Sequence, residues 1–557
     1  MQAPAQRNGA KILLESLQSE GVEYIFGNPG TTELPLIDAL NDYPSIKYIW
    51  ALQEASVVAM ADGYAQASGK AGFINLHTAG GLGHGMGNLL NAYTSGTPLV
   101  VTAGQQDSRH SISDPLLQGD LVSIATPAVK WAREVNTPEQ IPVLVRRAFQ
   151  DSLAPPTGPV FLSLPMNVME AISDVDIPDI SHVDRRPTAG SLPLLAKELS
   201  RFSPGRIAII AGDEISFNNA NQEVVALAEI LASPVFGSSW PAHIPYPTSH
   251  YLWQGNLPTK ASAIAEEMRP FDCVFALGGK SFITILYSEA SALPKGCELF
   301  QLSVDGGDLG RTYSSKLSVV GDIQFSLREL NRLLVEKTAD RADLYAVRRQ
   351  AAKKAFAARK EALNKLADGL MCNPLIHPMV AARALTEAIG PDVPIVDEAI
   401  ATASYLRKFL NNNSPRQYSF LRGGALGWGM PAAVGFSLGI GRKPVVCLVG
   451  DGAAMYSPQA LWTAVHEDLP ITFIVMNNLE YNILKNFMRS QPHYSSARTG
   501  RFIAMDINSP AIDFLALAQS MGMPGQKITR AEEIQGTVSQ AIAGNKPNLI
   551  EIVISAE

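Results

Sequence analysis

Charge is scarce in this chain of 557 residues: Asp, Glu, Lys and Arg make up 17% of it, against about 25% in an ordinary soluble domain, while hydrophobic residues reach 46%. A disordered or solvating protein is excluded, because such chains are rich in charge and poor in apolar residues. A basic excess is also missing. Lys and Arg number 45 against 52 Asp and Glu, for a net charge of −7, so no global positive field awaits a polyanion and nucleic acid is not expected as a partner. Cysteine is nearly absent: Cys273, Cys297, Cys372 and Cys447 stand far apart with no CxxC. That excludes a disulfide framework or structural zinc site and suits the reducing cytoplasm. The polar start, Met1 to Asn8, carries no apolar segment of the kind a signal peptide needs. No strand-like run leads into GxGxxG with an acidic residue about 20 positions on, so a dinucleotide-dependent oxidoreductase is not expected.

Two stretches hold no charged residue at all, Ala71–Gln106 and Gly423–Gly441. The second is crowded with glycine and contains Pro431, whereas a membrane-spanning helix wants about 20 predominantly apolar residues. Both read as buried loops and helix starts, and no membrane association is expected. The pair is expected to line a dry cleft.

The chain alternates short apolar runs with helical patterns. Tyr24–Gly27, Gly72–His77, Pro98–Gly104 and Pro159–Pro165 are bounded by Gly, Pro or Asn and suit strands buried on both faces of a parallel sheet, while Ala10–Glu20 and Glu54–Ser68 have helical spacing. The strand signal repeats at Ile207–Ala211, Pro234–Phe236, Val274–Leu277 and Leu299–Leu302. It returns at Val393–Val396, Pro444–Val449, Ile471–Asn477 and Asn548–Ile554. Between the second and third groups, Ala339–Leu370 is rich in Ala, Lys and Arg, as an exposed connecting helix is. The expected architecture is α/β, with three doubly wound parallel-sheet domains at 1–181, 182–340 and 377–557, and a linker helix in 341–376.

The densest chemistry lies at Val449-Gly450-Asp451-Gly452-Ala453-Ala454, followed by the helix-like Ser457–Glu467, the strand-like Ile471–Met476 and then Asn477-Asn478-Leu479-Glu480-Tyr481. In an open parallel sheet, ligands sit outside the carboxyl ends of the strands. Two hard oxygen ligands, Asp451 and Asn478, therefore converge there. A carboxylate, a carboxamide oxygen and a backbone carbonyl suit Mg²⁺, which takes the rest of its octahedron from water and phosphate oxygens. The glycines beside Asp451 let backbone approach a diphosphate, and the following helix offers free N–H groups. Taken singly, GDG and Asn-Asn are also what ordinary turns contain. Their succession at adjacent strand ends is the specific signal.

This pattern resembles the thiamine diphosphate-dependent decarboxylases and carboligases, whose metal motif is Gly-Asp-Gly followed at a set distance by Asn-Asn. Phe26-Gly27-Asn28-Pro29-Gly30-Thr31-Thr32-Glu33, Ala51-Leu52-Gln53-Glu54-Ala55, Ile74-Asn75-Leu76-His77-Thr78-Ala79-Gly80-Gly81 and Val101-Thr102-Ala103-Gly104-Gln105-Gln106 extend the likeness, which is greatest to the benzoylformate decarboxylases. The resemblance implies pyrimidine-binding, middle and diphosphate-binding domains, with thiamine diphosphate and Mg²⁺ held between two subunits of a homodimer that pairs into a homotetramer. It implies that Glu54 exchanges a proton with the aminopyrimidine, a role that an apolar setting supports by favouring the protonated carboxyl. It implies that Leu426 props the cofactor in a bent shape beside the Gly424 carbonyl, that Gly452, Ala453 and Tyr481 join the diphosphate site, and that Glu480 completes the metal set with Asp451 and Asn478.

His77 matches the family's active-site histidine and Thr31 its carboxylate-holding hydroxyl. Read alone, a lone histidine beside apolar residues is more often structural, and a leucine is more often core. His84 and His110 share the domain without the same surrounding motif. Ile400, Ile483, Leu484 and Phe487 are expected to shape an apolar substrate pocket, with 489–501 as a segment that closes over it. The implied reaction is non-oxidative decarboxylation of a 2-oxo acid to an aldehyde and CO₂.

Two departures matter. No histidine occurs in Lys280–Tyr287, where the family carries a second one, and in Asp397–Thr402 apolar residues replace a hydroxyl-rich segment of the family, so that diphosphate contacts there would come mostly from backbone N–H groups. A reaction intermediate that waits for its proton can attack a second carbonyl on an acceptor aldehyde, so an acyloin- or acetolactate-forming carboligase, or a lyase running that reaction backwards, is the alternative. A regulatory protein that kept the fold is the non-enzymatic one.

Overall fold

The computed structural model describes residues 7–414 and 416–556. Most of the polar start falls on residues 1–6, outside the described residues. Three parallel six-stranded sheets organise the chain. The first contains β1 (Tyr24–Gly27), β2 (Lys47–Trp50), β3 (Gly72–His77), β4 (Leu99–Gln105), β5 (Ala132–Glu134) and β6 (Val160–Pro165). The second contains β7 (Ile207–Ala211), β8 (Val235–Gly237), β9 (Trp253–Asn256), β10 (Cys273–Leu277), β11 (Glu298–Ser303) and β12 (Leu317–Val320). In the third are β13 (Ile395–Glu398), β14 (Tyr418–Phe420), β15 (Val445–Gly450), β16 (Ile471–Asn477), β17 (Gly525–Ile528) and β18 (Asn548–Val553). The helices that matter below are α1 (Glu54–Ser68), α2 (Thr78–Ser95), α3 (Ala342–Gly369), α4 (Gly429–Gly439), α5 (Asp451–Ala454) and α6 (Asn482–Arg489).

The first and third sheets share one strand order, β2-β1-β3-β4-β6-β5 and β14-β13-β15-β16-β18-β17, and the middle sheet runs β9-β8-β7-β10-β11-β12. In each, the order reverses beside the first strand, at β1/β3, β7/β10 and β13/β15, which opens a crevice at the carboxyl ends. The central strands are apolar on both faces and almost wholly buried, as sheets covered by helices on two sides require. The α/β architecture is therefore as expected from the sequence, but the expected strands are only the four inner ones of each sheet. The six edge strands β2, β5, β9, β12, β14 and β17 carried no clear apolar signal, because most of them turn one side to solvent or to a neighbouring domain.

Apolar core runs without interruption from the first domain into the third, through Phe26, Val58 and Met60 to Trp428, Phe436 and Val449. Another runs from the middle domain into the third, through Phe275 and Leu327 to Tyr418 and Ile474. Helices α1 and α4 cross at glycine notches. A Cβ added to Gly63 would lie 2.1 Å from the Ala432 carbonyl oxygen, and one added to Gly435 1.7 Å from that of Met60. The two charge-free stretches also meet each other, since Asn88 and Asn91 of the first donate to the Gly427 and Ala425 carbonyls of the second. Among the described residues no helix is long and apolar enough to cross a membrane.

Candidate active site

At the β1/β3 crevice of the first domain, a buried carboxylate meets a histidine. Glu33, 2% exposed, sits in the short 3-10 turn after β1 and accepts the Gly30 N–H at 2.9 Å. Its Oε2 lies 2.8 Å from Nδ1 of His77, the last residue of β3, and the Thr32 hydroxyl donates to its Oε1 at 2.6 Å. A carboxylate has no proton to give, so Nδ1 carries the hydrogen and Nε2 is the nitrogen left for other chemistry. The Glu33 hydrogen bond holds the imidazolium above the usual histidine range, against the burial that lowers it. The ring also lies flat against Gly30, where an added Cβ would come within 2.3 Å. Thr31 points to solvent, while its neighbour Thr32 is buried and 3.2 Å from His77 Nδ1. Glu33 and Thr32 had no assigned part in the sequence reading, and the only trace of them was their place in the motif beside Thr31.

Glu54 opens α1, with its side chain 12% exposed. Asn28 donates to its Oε1 at 3.0 Å, and Trp50 holds Asn28 in turn through Nε1 at 3.3 Å. His84, less favoured from sequence, places Nδ1 3.0 Å from Glu54 Oε2 and leaves most of its ring exposed. His110 is exposed and separate.

The third domain builds a different cluster. Asp451 follows β15 and is 5% exposed. Its Oδ1 accepts the Gly452 N–H at 2.8 Å, and its Oδ2 accepts those of Asn478 and Leu479 at 3.2 and 2.6 Å. Leu479 takes a left-handed φ of 60°, which folds the turn back over the carboxylate. Burial pushes the Asp451 carboxyl up, and the backbone N–H groups pull it part of the way back. Asn477 is clamped from behind by buried Glu551, to which its amide donates at 2.7 Å. Asn478, part-buried, accepts the Glu480 N–H at 3.1 Å. The Glu480 side chain pairs with buried Lys485, which also meets Asp506 at 2.5 Å. Tyr481 covers Gly452, where an added Cβ would fall 2.3 Å from the ring, and Ala453 is buried beside it.

In α6 the usual polarity is reversed: Asn482 and Lys485 are buried, while Ile483 and Phe487 are part-exposed and Leu484 is 44% exposed. An apolar face turned outward suits a pocket wall. Residues 489–501, expected to close over the pocket, include a short helix at Ser495–Thr499.

The segment 423–429 touches both the first and the third domain. Asn91 on α2 brackets Ala425, accepting its N–H at 3.0 Å and donating to its carbonyl at 2.8 Å, and Asn88 reaches the Gly427 and Ala55 carbonyls. The Ser457 hydroxyl donates to the Gly427 carbonyl at 2.9 Å. Glu398, fully buried at the end of β13, accepts the N–H groups of Gly427, Trp428 and Gly429 at 2.7, 3.2 and 2.7 Å. These are free donors at the start of α4, which a carboxyl satisfies. Burial raises the Glu398 carboxyl to about 7 and its neighbour Asp397 to about 6. Leu426 is part-buried, as is Ile400. Gly424, at a φ of 85°, has open space where a Cβ would stand.

Three family models for thiamine pyrophosphate enzymes match in order: the N-terminal binding domain at 7–123, the central domain at 203–330 and the C-terminal binding domain at 401–552. The chain is 32% identical to a benzoylformate decarboxylase of Pseudomonas aeruginosa over 547 residues, covering 97% of both proteins. This chain is a thiamine diphosphate enzyme. The acetolactate synthase large subunit of Lactococcus lactis is 25% identical over 98% of the chain and 92% of its own length. Among solved structures, a thiamine diphosphate-dependent 4-hydroxybenzoylformate decarboxylase of Rhodococcus jostii superposes with a TM-score of 0.86 at 26% identity, covering 99% of each chain. The benzoylformate decarboxylase of Polynucleobacter necessarius gives 0.85 at 29% identity, again over 99% of each.

The residues of this thiamine diphosphate enzyme fit a divalent cation. Asp451 is a buried carboxylate whose partners are all backbone N–H groups, and among the described residues no Lys, Arg or His stands within ion-pair reach of it. A second buried oxygen, Glu480 Oε1, has no hydrogen-bond partner. Hard oxygens, with the Asp451 carboxylate free of a counter-charge, suit Mg²⁺. Among the described residues no group of three His, Cys, Asp or Glu side chains is placed to hold a metal ion, so a metal here would draw on amide and carbonyl oxygens as well.

Proposed function

We propose that this enzyme decarboxylates a 2-oxo acid without oxidation, releasing an aldehyde and CO₂, with thiamine diphosphate and Mg²⁺ as cofactors. Bound thiamine diphosphate supplies a nucleophilic carbon and a sink for the electrons that CO₂ leaves behind. Asp451, Asn478 and the Glu480 carbonyl would hold the metal, and the N–H groups at α5, with Gly452, Ala453 and Tyr481, would hold the diphosphate. Leu426 and Gly424 would set the cofactor's shape by packing. Glu54 gives and takes a proton at its carboxyl, oriented by Asn28. His77 serves the substrate through Nε2, since Glu33 fixes the proton on Nδ1. Thr31 offers its hydroxyl to the substrate carboxylate, and Ile400, Ile483, Leu484 and Phe487 wall off water on the apolar side.

The observation that carries this reading is the Glu33–His77 pair at 2.8 Å in the same domain as a part-buried Glu54. It gives one domain two separately supported proton-handling groups. A panel of aromatic and aliphatic 2-oxo acids, assayed for CO₂ with both cofactors present, tests it. Release of CO₂ with an equal amount of free aldehyde is expected, and no release with any member would overturn it.

Carboligation to an acyloin or acetolactate is the second reading, favoured by the lack of a histidine in 280–287. Repeating the assay with an added acceptor aldehyde separates the two, since free aldehyde alone removes this one. Retained cofactor binding with lost turnover in Glu54→Gln would remove the regulatory-protein reading.

The active form is a homodimer at least, pairing to a tetramer. Leu90 and Tyr93 on α2 and Ile112 and Leu116 beyond β4 are 44%, 48%, 91% and 84% exposed, apolar side chains that a partner subunit would cover. The four free cysteines support a cytoplasmic home.

A further inference from the structure

Among the described residues the middle domain supplies no group to either cluster above, yet it grips a segment that touches both other domains. Asp213 stands in the turn after β7 and is almost fully buried. Its Oδ1 accepts the N–H groups of Ala242 and His243 at 2.9 and 3.1 Å. Its Oδ2 lies 3.0 Å from Nη1 of Arg422, and the two side chains are 11% and 8% exposed. Arg422 also donates to the Trp240 carbonyl, while Trp240 Nε1 donates to the Leu421 carbonyl at 3.0 Å. Phe420 donates its N–H to the Ala242 carbonyl at 2.8 Å, His243 pairs with Ser419, and the Trp240 and Phe420 rings meet edge to face at 5.0 Å. Residues 240–243 thus cover β14, the open edge of the third sheet, and Arg422 is the last point held before Gly423 begins.

From there the path has no slack. A Cβ on Gly423 would fall 2.3 Å from Asn91 Oδ1, and Asn91 and Glu398 hold the residues that follow. One segment, 422–429, is therefore fixed by the middle domain through Asp213, by the first through Asn91 and by the third through Glu398. A guanidinium fork and a carboxylate that also anchors two backbone N–H groups make a rigid joint, and a buried ion pair that loses one member leaves an uncompensated charge.

We infer that Asp213 and Arg422 are positioning residues: their ion pair lets the middle domain set the course of 423–427 and so the fit of Leu426 against the cofactor. The inference rests on the function proposed above. Its test is thiamine diphosphate affinity by isothermal titration calorimetry with Mg²⁺ present, on the full-length protein, beside the melting temperature. Asp213→Asn keeps an acceptor for Ala242 and His243 but loses the charge, and Arg422→Gln loses the partner charge. Each is expected to weaken cofactor binding about tenfold while folded at the assay temperature. The double variant is expected to be no weaker than either single one, because the second change removes the charge that the first left unpaired. Native affinity in the folded single variants, or a double loss equal to the product of the two, would overturn the inference. If a single variant does not fold, Trp240→Phe, which removes the bond to Leu421 and keeps an aromatic ring against Phe420, takes its place. About threefold weaker binding is then expected, and unchanged binding counts against the inference. A parent protein that binds no thiamine diphosphate sinks the proposed function itself, whereas a binding parent with equally binding variants sinks only this inference.

Discussion

The first and third domains wind their strands in the same order, yet their crevices hold opposite equipment. In the first, the β1/β3 crevice gathers a carboxylate, a histidine and a hydroxyl within hydrogen-bond reach, a set suited to moving protons. In the third, the β13/β15 crevice and the adjoining end of β16 gather a carboxylate, amides and backbone N–H groups, a set suited to fixing a cation and an anion. A shared topology places a site outside the strand ends but does not choose its chemistry. The choice lies in a few residues just past each strand: Gly30 to Glu33 and His77 in one domain, Asp451 and Asn478 in the other.

If this division is real, changes on the two sides should fail in different ways. Glu54→Gln should produce the largest effect, a loss of roughly 10²- to 10⁴-fold in kcat, with cofactor affinity by calorimetry little changed. An equal loss of binding would blur the comparison. Asp451→Ala should do the reverse, weakening Mg²⁺-dependent thiamine diphosphate binding by about 100-fold, the upper range for a lost metal-site partner, and leaving the pH profile of the saturated enzyme in place. Unchanged binding would take the metal away from this cluster.

Gly435→Ala tests what joins the halves. Its Cβ would collide with the Met60 carbonyl, so urea unfolding should show a loss of about 1–3 kcal/mol from overpacking. A neutral result would mean that α1 and α4 do not pack as closely as described.

The finest effect concerns Glu33→Gln. It removes the carboxylate that raises His77 above the ordinary 6.5, so the histidine titration followed by NMR should move down, with kcat reduced by about tenfold. The stability sign follows. A raised histidine contributes stability below pH 6.5 that is lost as pH rises through its folded value, so the stability gap between parent and variant should narrow from pH 6 to pH 8. A gap that widens would break the pair.

Legibility in the sequence followed burial. Every inner strand showed as an apolar run, because a strand buried on both faces is mostly apolar, whereas β5 (Ala-Arg-Glu) and β17 (Gly-Gln-Lys-Ile) look like loops. Asp451, Asn478, Glu54 and His77 stand out as candidates because short motifs surround them. Glu33 was not, since a glutamate after a turn is usually a solvated cap and only the return of β3 beside β1 reveals its partner. By sequence Glu398 belongs to a segment in which apolar residues replace hydroxyl-rich ones. In the folded chain it is the acceptor for three N–H groups from residues about 30 positions away.

The sequence by itself determined three parallel-sheet domains, the oxygen-rich turn at Asp451 and the family to which the chain belongs. These are local properties: apolar runs set strands, and glycines beside an acid set the turn. Only the tertiary structure decided that Glu33 holds His77, that Glu54 meets Asn28 and His84, that the charge-free stretches press against neighbouring domains, and that Asp213 reaches across to Arg422. Each of these joins residues far apart in sequence, and hydrogen bonds and close packing depend on distances of a few tenths of an ångström, which no one-dimensional pattern encodes.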